Sequence, residues 1–259
     1  MNPSKSANGV SPRFWKECAD LLAPSVTKLY RYIVKKKKYV SRWKEGRISA
    51  LHKRGSVKDP KNYRPLKVLI NISVGFEKVV HPQLYKWISK FIPASQFGFL
   101  KGVGSSEYGC TLLFKMMSVL ERRGEGILIS LDVKGAFDRV WWEMLVAKME
   151  ARGLEDDALG LIKDCLCKRF LRVVSQASHS AKLEIFSGVP QGGKLSIDLW
   201  NYDVNEIDQA IKDDGDLFCY ADDNSIWYEV TDENRRFILQ VINTDLQALA
   251  IWARNNKTT

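Results

Sequence analysis

Hydrophobic spacing along the chain changes period several times, and each change predicts an element. From residue 12 to about 39, Leu21, Leu22, Val26, Leu29 and Ile33 recur at helical spacing, with Pro24 either starting a second helix or kinking one. Residues 46–65 show no such period; their charges and the pairs Asp59-Pro60 and Arg64-Pro65 read as turns. Helices are predicted over 72–88, with Pro82 as a candidate break, and over 107–121, after a Gly/Ser-rich loop at 93–106. The run 126–131 reads as a buried strand ending at Asp132, followed by a helix carrying Trp141, Leu145 and Met149 and a second helix over 155–167. A hairpin is predicted from 170–175 with 182–186. A glycine-rich loop, 187–193, then leads into a helix bearing Leu195, Leu199 and Tyr202. Strands at 216–220 and 224–229 flank Tyr220-Ala221-Asp222-Asp223, and a last helix carries Ile238, Ile242, Leu246 and Leu249. Alternation of this kind predicts a sheet covered by helices on one face.

Composition narrows the class. With 45% hydrophobic and 11% aromatic residues in 259, the chain folds, as one large domain or two small ones. Its net charge of +10 is concentrated. Residues 31–67 hold fourteen of the forty Lys and Arg against only Glu45 and Asp59 among the acids, so the remainder is close to neutral. Such a block, with Lys35–Lys38 at its heart, fits a phosphate backbone or another anionic surface, and equally a solvated basic helix or a localisation signal. Five scattered cysteines and three histidines make no zinc spacing. No secretory leader and no apolar run near the roughly 18 residues of a bilayer span are evident, so an intracellular, non-secreted, non-membrane protein is expected.

The candidate chemistry lies in carboxylates. Asp222 and Asp223 follow one strand and Asp132 ends another. Adjacent carboxylates repel, so they are stable where a cation or solvent screens them. An isolated Asp-Asp pair is ordinarily a solvated turn. Three carboxylates converging from two strands are what divalent ions need for phosphoryl transfer, because Mg²⁺ takes hard oxygen ligands and shares its shell with substrate phosphates.

Six segments, in order, carry a resemblance. They are Trp43-Lys44 with His52-Lys53-Arg54-Gly55, Asp59-Pro60-Lys61-Asn62-Tyr63-Arg64-Pro65-Leu66, and Ser95-Gln96-Phe97-Gly98-Phe99. Then come the run from Leu131-Asp132-Val133 through Ala136-Phe137-Asp138 to Trp141, Gly188-Val189-Pro190-Gln191-Gly192, and Tyr220-Ala221-Asp222-Asp223. The chain resembles the reverse transcriptases of non-long-terminal-repeat retrotransposons from about Trp43 onward.

That resemblance implies an α+β right-hand polymerase fold, with helical fingers over about 1–125 and a palm with a central antiparallel sheet over 126–259. It implies RNA-directed addition of deoxynucleoside triphosphates to a DNA primer on an RNA template, with two Mg²⁺ ions or Mn²⁺ as cofactor. Asp132, Asp222 and Asp223 are then the catalytic carboxylates, and they hold metal together with the Val133 carbonyl. Lys53, Arg64, Phe137 and Gln191 face the nucleotide, Phe137 as an aromatic steric gate against a 2′-hydroxyl. Gln96, Gly98, Phe99, Gly188 and Gly192 lie along the template–primer, where glycine permits close backbone approach.

Two departures qualify this picture. After Gln191-Gly192 the family ordinarily has Ser and then an apolar helix start; here Gly193-Lys194-Leu195-Ser196-Ile197-Asp198 follows. Asp198 falls at a usually apolar position, where an unpaired buried carboxylate is costly. The resemblance also stops before a thumb, so a fingers-and-palm piece of a larger polyprotein is expected. The alternative is an inactive or domesticated fragment that binds RNA or DNA without polymerising. Oligomeric state is left open.

Overall fold

The computed structural model describes residues 10–257 apart from 134, 176–177, 191 and 212–214; the side chains of 64, 65 and 175 are also outside the description. In chain order, helices α1 (Pro12–Glu17) and α2 (Ala19–Lys36) precede strands β1 (Glu45–His52) and β2 (Tyr63–Val68). Helices α3 (Asn71–Ile88) and α4 (Ser105–Glu121) lead to β3 (Glu125–Asp132). Helices α5 (Ala136–Arg139), α6 (Trp142–Ala151) and α7 (Asp156–Leu166) follow, then β4 (Arg169–Ser175), β5 (Ser178–His179) and β6 (Leu183–Ile185). Helix α8 (Lys194–Asp203), strands β7 (Gly215–Tyr220) and β8 (Asp223–Val230), and helix α9 (Ile238–Asn255) complete the order. The chain forms two compact units, residues 1–87 with 141–198 and residues 88–140 with 199–259, so it passes between them three times. The sequence reading divides it once, near 125.

In the first unit, Ser11 caps α1, its hydroxyl accepting from the Arg13 N–H at 3.2 Å, with Pro12 at the first helical position. Pro24 sits inside α2 and Pro82 inside α3, and both helices continue through them. Ile33, Trp43, Phe76, Leu161 and Cys165 are buried together, with Tyr30, Tyr39, Trp43 and Phe76 meeting largely edge to face. Lys37 and Lys38, half of the four-lysine run, serve the fold. Lys37 pairs with Asp156 and, at 2.9 Å, Asp157; Lys38 pairs with Asp164 at 3.3 Å. The stretch expected as turns, 46–65, is instead a β-hairpin: β1 and β2 pair antiparallel from Arg47 opposite Val68 to His52 opposite Tyr63. Alternation is hidden there because Ala50, Leu51 and His52 are all exposed, so the second half of β1 shows no period. β1 also runs parallel beside β4, which pairs antiparallel with β5 and β6, so this sheet is mixed.

The second unit is built on the antiparallel sheet β3-β8-β7. One face carries Ile226, Tyr228 and Val230 against Ile238, Ile242 and Leu249 of α9, with Ile127, Ile129 and Leu131 packed alongside. The Tyr228 hydroxyl donates to Asp245 at 2.9 Å within this core. The opposite face sets Phe218 and Trp227 against Val119, Tyr108 and Met116 of α4. β3 is not the buried strand its composition predicts: it alternates, with Leu128 39% exposed. As an edge strand it buries one row of side chains on α9 and leaves the other open. Among the described residues, no helix is long and apolar enough to cross a membrane.

Candidate active-site turn and glycine loop

All three candidate carboxylates lie at one end of the second unit's sheet. Tyr220 of β7 pairs with Asp223 of β8, leaving Ala221 and Asp222 as a two-residue hairpin loop. Asp132, the last residue of β3, is directly opposite Asp223. Opposed residues share a sheet face, so two like charges are neighbours and Asp222 is a third beside them. Asp132 and Asp223 are exposed and Asp222 is half-buried. Among the described residues no lysine or arginine pairs with any of them. Nor do three acidic, histidine or cysteine side chains converge there as a ready metal cage.

The turn that carries Asp222 is strained and held from three sides. Ala221 has φ +62°, a left-handed value that ordinarily falls to glycine at the first loop position of such hairpins. For alanine this costs about 1–2 kcal/mol. Buried Gln96 accepts at Oε1 from the Ala221 N–H (3.2 Å) and the Gly98 N–H (2.7 Å). The Trp200 indole N–H donates to the Ala221 carbonyl at 3.1 Å, and Asn201 donates to the Gly98 carbonyl at 3.2 Å. Gly98 fits because it lacks a side chain: a Cβ there would lie 2.2 Å from the Ala221 nitrogen. The Asn224 side chain adds a bond to the Asp222 carbonyl at 3.2 Å.

Gln96 and Gly98, expected along the template, are thus behind the turn, while Phe99 is 45% exposed. Phe137, in α5, packs against Phe99 at 6.4 Å and Trp200 at 5.5 Å between ring centres. The gate candidate and the aspartate turn therefore share Trp200. Val133 follows Asp132 directly, outside the strand. Sequence reasoning passed over Trp200 and Asn201, whose helix was read for its apolar period and for Asp198 alone.

The first unit carries the other candidates. Lys53 is exposed where β1 enters the connecting loop of the β1–β2 hairpin, its N–H bonded to the Asn62 carbonyl at 2.8 Å. Arg64 is opposite Leu51 in β2, and its side chain lies outside the described residues, as does Gln191 entirely. Gly188 and Gly192 take φ +79° and +88°. Arg169, itself buried, donates to the carbonyls of Ser187 (2.9 Å) and Gly188, fixing the entry to this loop.

The exit from the loop explains the missing serine. Buried Glu77 of α3 accepts from the Leu195 N–H at 3.3 Å, capping α8 from another element, and takes the Tyr39 hydroxyl at 3.3 Å. Gly193 makes room for it, since a Cβ there would stand 2.6 Å from Glu77 Oε2. Burial raises the Glu77 carboxyl, against the pull of those backbone donors. Ser196 reaches back to the Pro190 carbonyl. Ser73, Glu77 and His81 are polar at four-residue spacing along one side of α3, with Ser73 and Glu77 buried; that spacing was the available sign of a structural role.

Asp198 is 2% exposed, and burial pushes its carboxyl up to about 7 against the pull of Lys194. His81 Nε2 is 3.0 Å from Asp198 Oδ2 but not aligned for a hydrogen bond. Burial, then Lys194, lowers the histidine. The costly buried acid expected from sequence is present. All five cysteines are free, and burial pushes the Cys165 and Cys219 thiols up to about 12, which leaves them inert.

A divalent ion fits the carboxylate end of the sheet by the chemistry of its donors. Asp132, Asp222 and Asp223 offer hard oxygens, crowded by like charge and unmatched by a cation among the described residues. Mg²⁺ sites of this kind use one or two carboxylates and complete the shell with water and substrate phosphate, so a full protein cage is not required.

A family model for reverse transcriptase (RNA-dependent DNA polymerase) matches residues 51–259. The chain is 29% identical over 209 residues to the probable RNA-directed DNA polymerase from transposon X-element of Drosophila melanogaster, covering 78% of this chain and 23% of that protein. It is 30% identical over 194 residues to the RNA-directed DNA polymerase from mobile element jockey of the same organism, covering 71% and 21%. The chain thus spans about a quarter of the length of these relatives. Telomerase from Candida albicans, solved with a fragment of telomeric RNA, shares the fold with TM-score 0.54 and 16% identity, over 85% of this chain and 43% of that one. Telomerase from Candida tropicalis does so with TM-score 0.54 at 13% identity, over 92% and 54%.

Proposed function

The chain belongs to the reverse transcriptase (RNA-dependent DNA polymerase) family, and on that premise we propose that it is the fingers and palm of a non-long-terminal-repeat retrotransposon polymerase that extends a DNA primer on an RNA template. Residues 1–125 act as fingers and 126–259 as palm, although the compact units interleave them. The reading rests chiefly on one observation: Asp132 faces Asp223 across two strands while Asp222 sits on a backbone turn held by neutral groups. Sheet ends place carboxylates reproducibly, which phosphoryl transfer requires.

Asp132 and Asp222, with Asp223 and the Val133 carbonyl contributing, would hold two Mg²⁺ (or Mn²⁺) ions, which supply charge stabilisation to the attacking 3′-oxygen and the departing pyrophosphate. Lys53 and Arg64 offset the triphosphate's charge. The Phe137 ring, backed by Trp200 and Phe99, leaves no room for a 2′-hydroxyl and so favours deoxynucleotides. Gln191, Gly188 and Gly192 border the nucleotide and the template–primer, and Phe99 touches the template. Gln96 and Gly98 are positioning residues, acting through Ala221. The setting is intracellular.

Primer extension on an RNA template with Mg²⁺ or Mn²⁺ tests this directly. Deoxynucleotide incorporation that disappears in Asp222→Ala/Asp223→Ala is the expected result. A folded chain that binds template–primer duplex but incorporates nothing would identify a binding remnant instead.

A further inference from the structure

The mixed sheet of the first unit holds a cation arrangement that no step above uses. Arg47 of β1 and Arg172 of β4 are register partners in the parallel pair, so two guanidinium groups leave the same face side by side. Like charges at paired positions destabilise a sheet unless an anion or solvent screens them. A cavity of about 170 Å³ opens beside them, lined also by Arg42, His179 and the Lys182–Glu45 ion pair (2.6 Å). Lys182 and Glu45 cancel, and three arginines remain without an acidic partner among the described residues. The Nε of Arg172 is buried and without a hydrogen-bond partner, a costly state for a charged donor. Guanidinium forks match phosphate oxygens in pairs.

We propose that this cavity binds a backbone phosphate of single-stranded RNA. Its openness favours a continuing chain over a small enclosed anion: Arg42, Arg47, His179 and Lys182 are all exposed around it, so a phosphate can enter while its nucleotides extend on both sides. β1 also lies inside the strongly basic segment 31–67, so adjoining phosphates meet further cations. Arg172, His179 and Lys182 come from outside that segment, and composition alone does not join them to it. The proposal rests on the polymerase reading for its choice of RNA, but not on catalysis.

The test is fluorescence anisotropy of a short labelled single-stranded RNA titrated with the full chain across a salt series. Arg47→Ala/Arg172→Ala is expected to weaken binding by about ten-fold and to make the log–log salt slope shallower by about 0.7, the value for one phosphate contact on a single strand. Arg47→Lys/Arg172→Lys, which keeps charge but loses the fork, is expected to retain the slope and lose part of the affinity. Thermal melts of each variant verify folding, and Arg172→Gln provides a milder change should the double variant unfold. Unchanged affinity and slope in folded variants would overturn the proposal while leaving the polymerase reading intact. So would variants that bind RNA normally but lose protection by inorganic phosphate against thermal unfolding, since the site would then serve a small anion. A wild-type chain that binds no RNA at all would instead count against the polymerase reading itself.

Discussion

Two segments of this molecule put the backbone into the left-handed region beside candidate chemistry, and they are held by opposite means. The loop at 187–193 uses glycine at both positive-φ positions among its described residues, and its neighbours are ionisable: Arg169 on its carbonyls, Glu77 on the helix start behind it. The turn at 220–223 forces alanine into that region, and its neighbours are neutral: an amide, an indole and the empty side of Gly98. Glycine pays no steric penalty there, so the first segment needs less support, and one of its anchors, Glu77, is a carboxyl that burial raises. Alanine stays only where its surroundings over-determine it. The segment that aims the carboxylates is therefore the one clamped by uncharged groups.

Breaking the neutral clamp should have the largest effect. Gly98→Ala is expected to lower primer extension at least about 100-fold and to destabilise the chain by about 2–4 kcal/mol, because its Cβ meets backbone rather than a yielding side chain. Denaturant melts and extension assays would show both; a variant that extends normally would mean that the turn tolerates displacement. Gln96→Leu leaves two buried N–H groups without an acceptor and should cost about 1–3 kcal/mol. Its signature is a fall in kcat with KM for nucleotide unchanged, recovered in part by Gln96→Glu, which keeps an acceptor oxygen.

The helix that leaves the glycine loop should answer to pH instead. Asp198 titrates near 7 in the folded chain against 3.8 ordinarily, so between those values the native state binds the extra proton. Stability contributed by this group is thus greatest at acid pH and falls as pH rises through that window. Asp198→Asn is expected to stabilise by about 1–2 kcal/mol at pH 8 and to flatten the pH dependence of Tm. Equal gains at pH 4 and pH 8 would remove the carboxyl as the cause. The smallest effect sharpens the contrast: Gly193→Ser should displace Glu77 and cost about 1 kcal/mol of cap. Adding Glu77→Ala to it should cost less than the two changes summed, since a serine there can cap α8 locally.

Much of this was legible in the chain. Strands ending at Asp132 and Tyr220, the long helices and the order of motifs follow from periodicity and spacing, which are local. The clamp was not: Gln96, Trp200 and Ala221 meet only through the fold, and an amide or indole in a sequence does not announce its partner. The β1–β2 hairpin was missed because its residues are half exposed and charged, so period two was diluted. The parallel β1–β4 pairing, and with it the neighbouring arginines, has no local signature.

That pairing also bears on how the molecule is made. Glu45 meets Phe170 across the parallel ladder, so β1 waits for most of the chain before its second edge is covered. Loop-closure entropy must be met before such distant partners reward it, and topologies of this kind assemble slowly. During synthesis the β1–β2 hairpin, rich in Lys and Arg, emerges well ahead of β4 with an open strand edge. Nascent chains would then be most vulnerable to wrong pairing at this point, and the crowded positive charge there repels a second copy from the exposed edge.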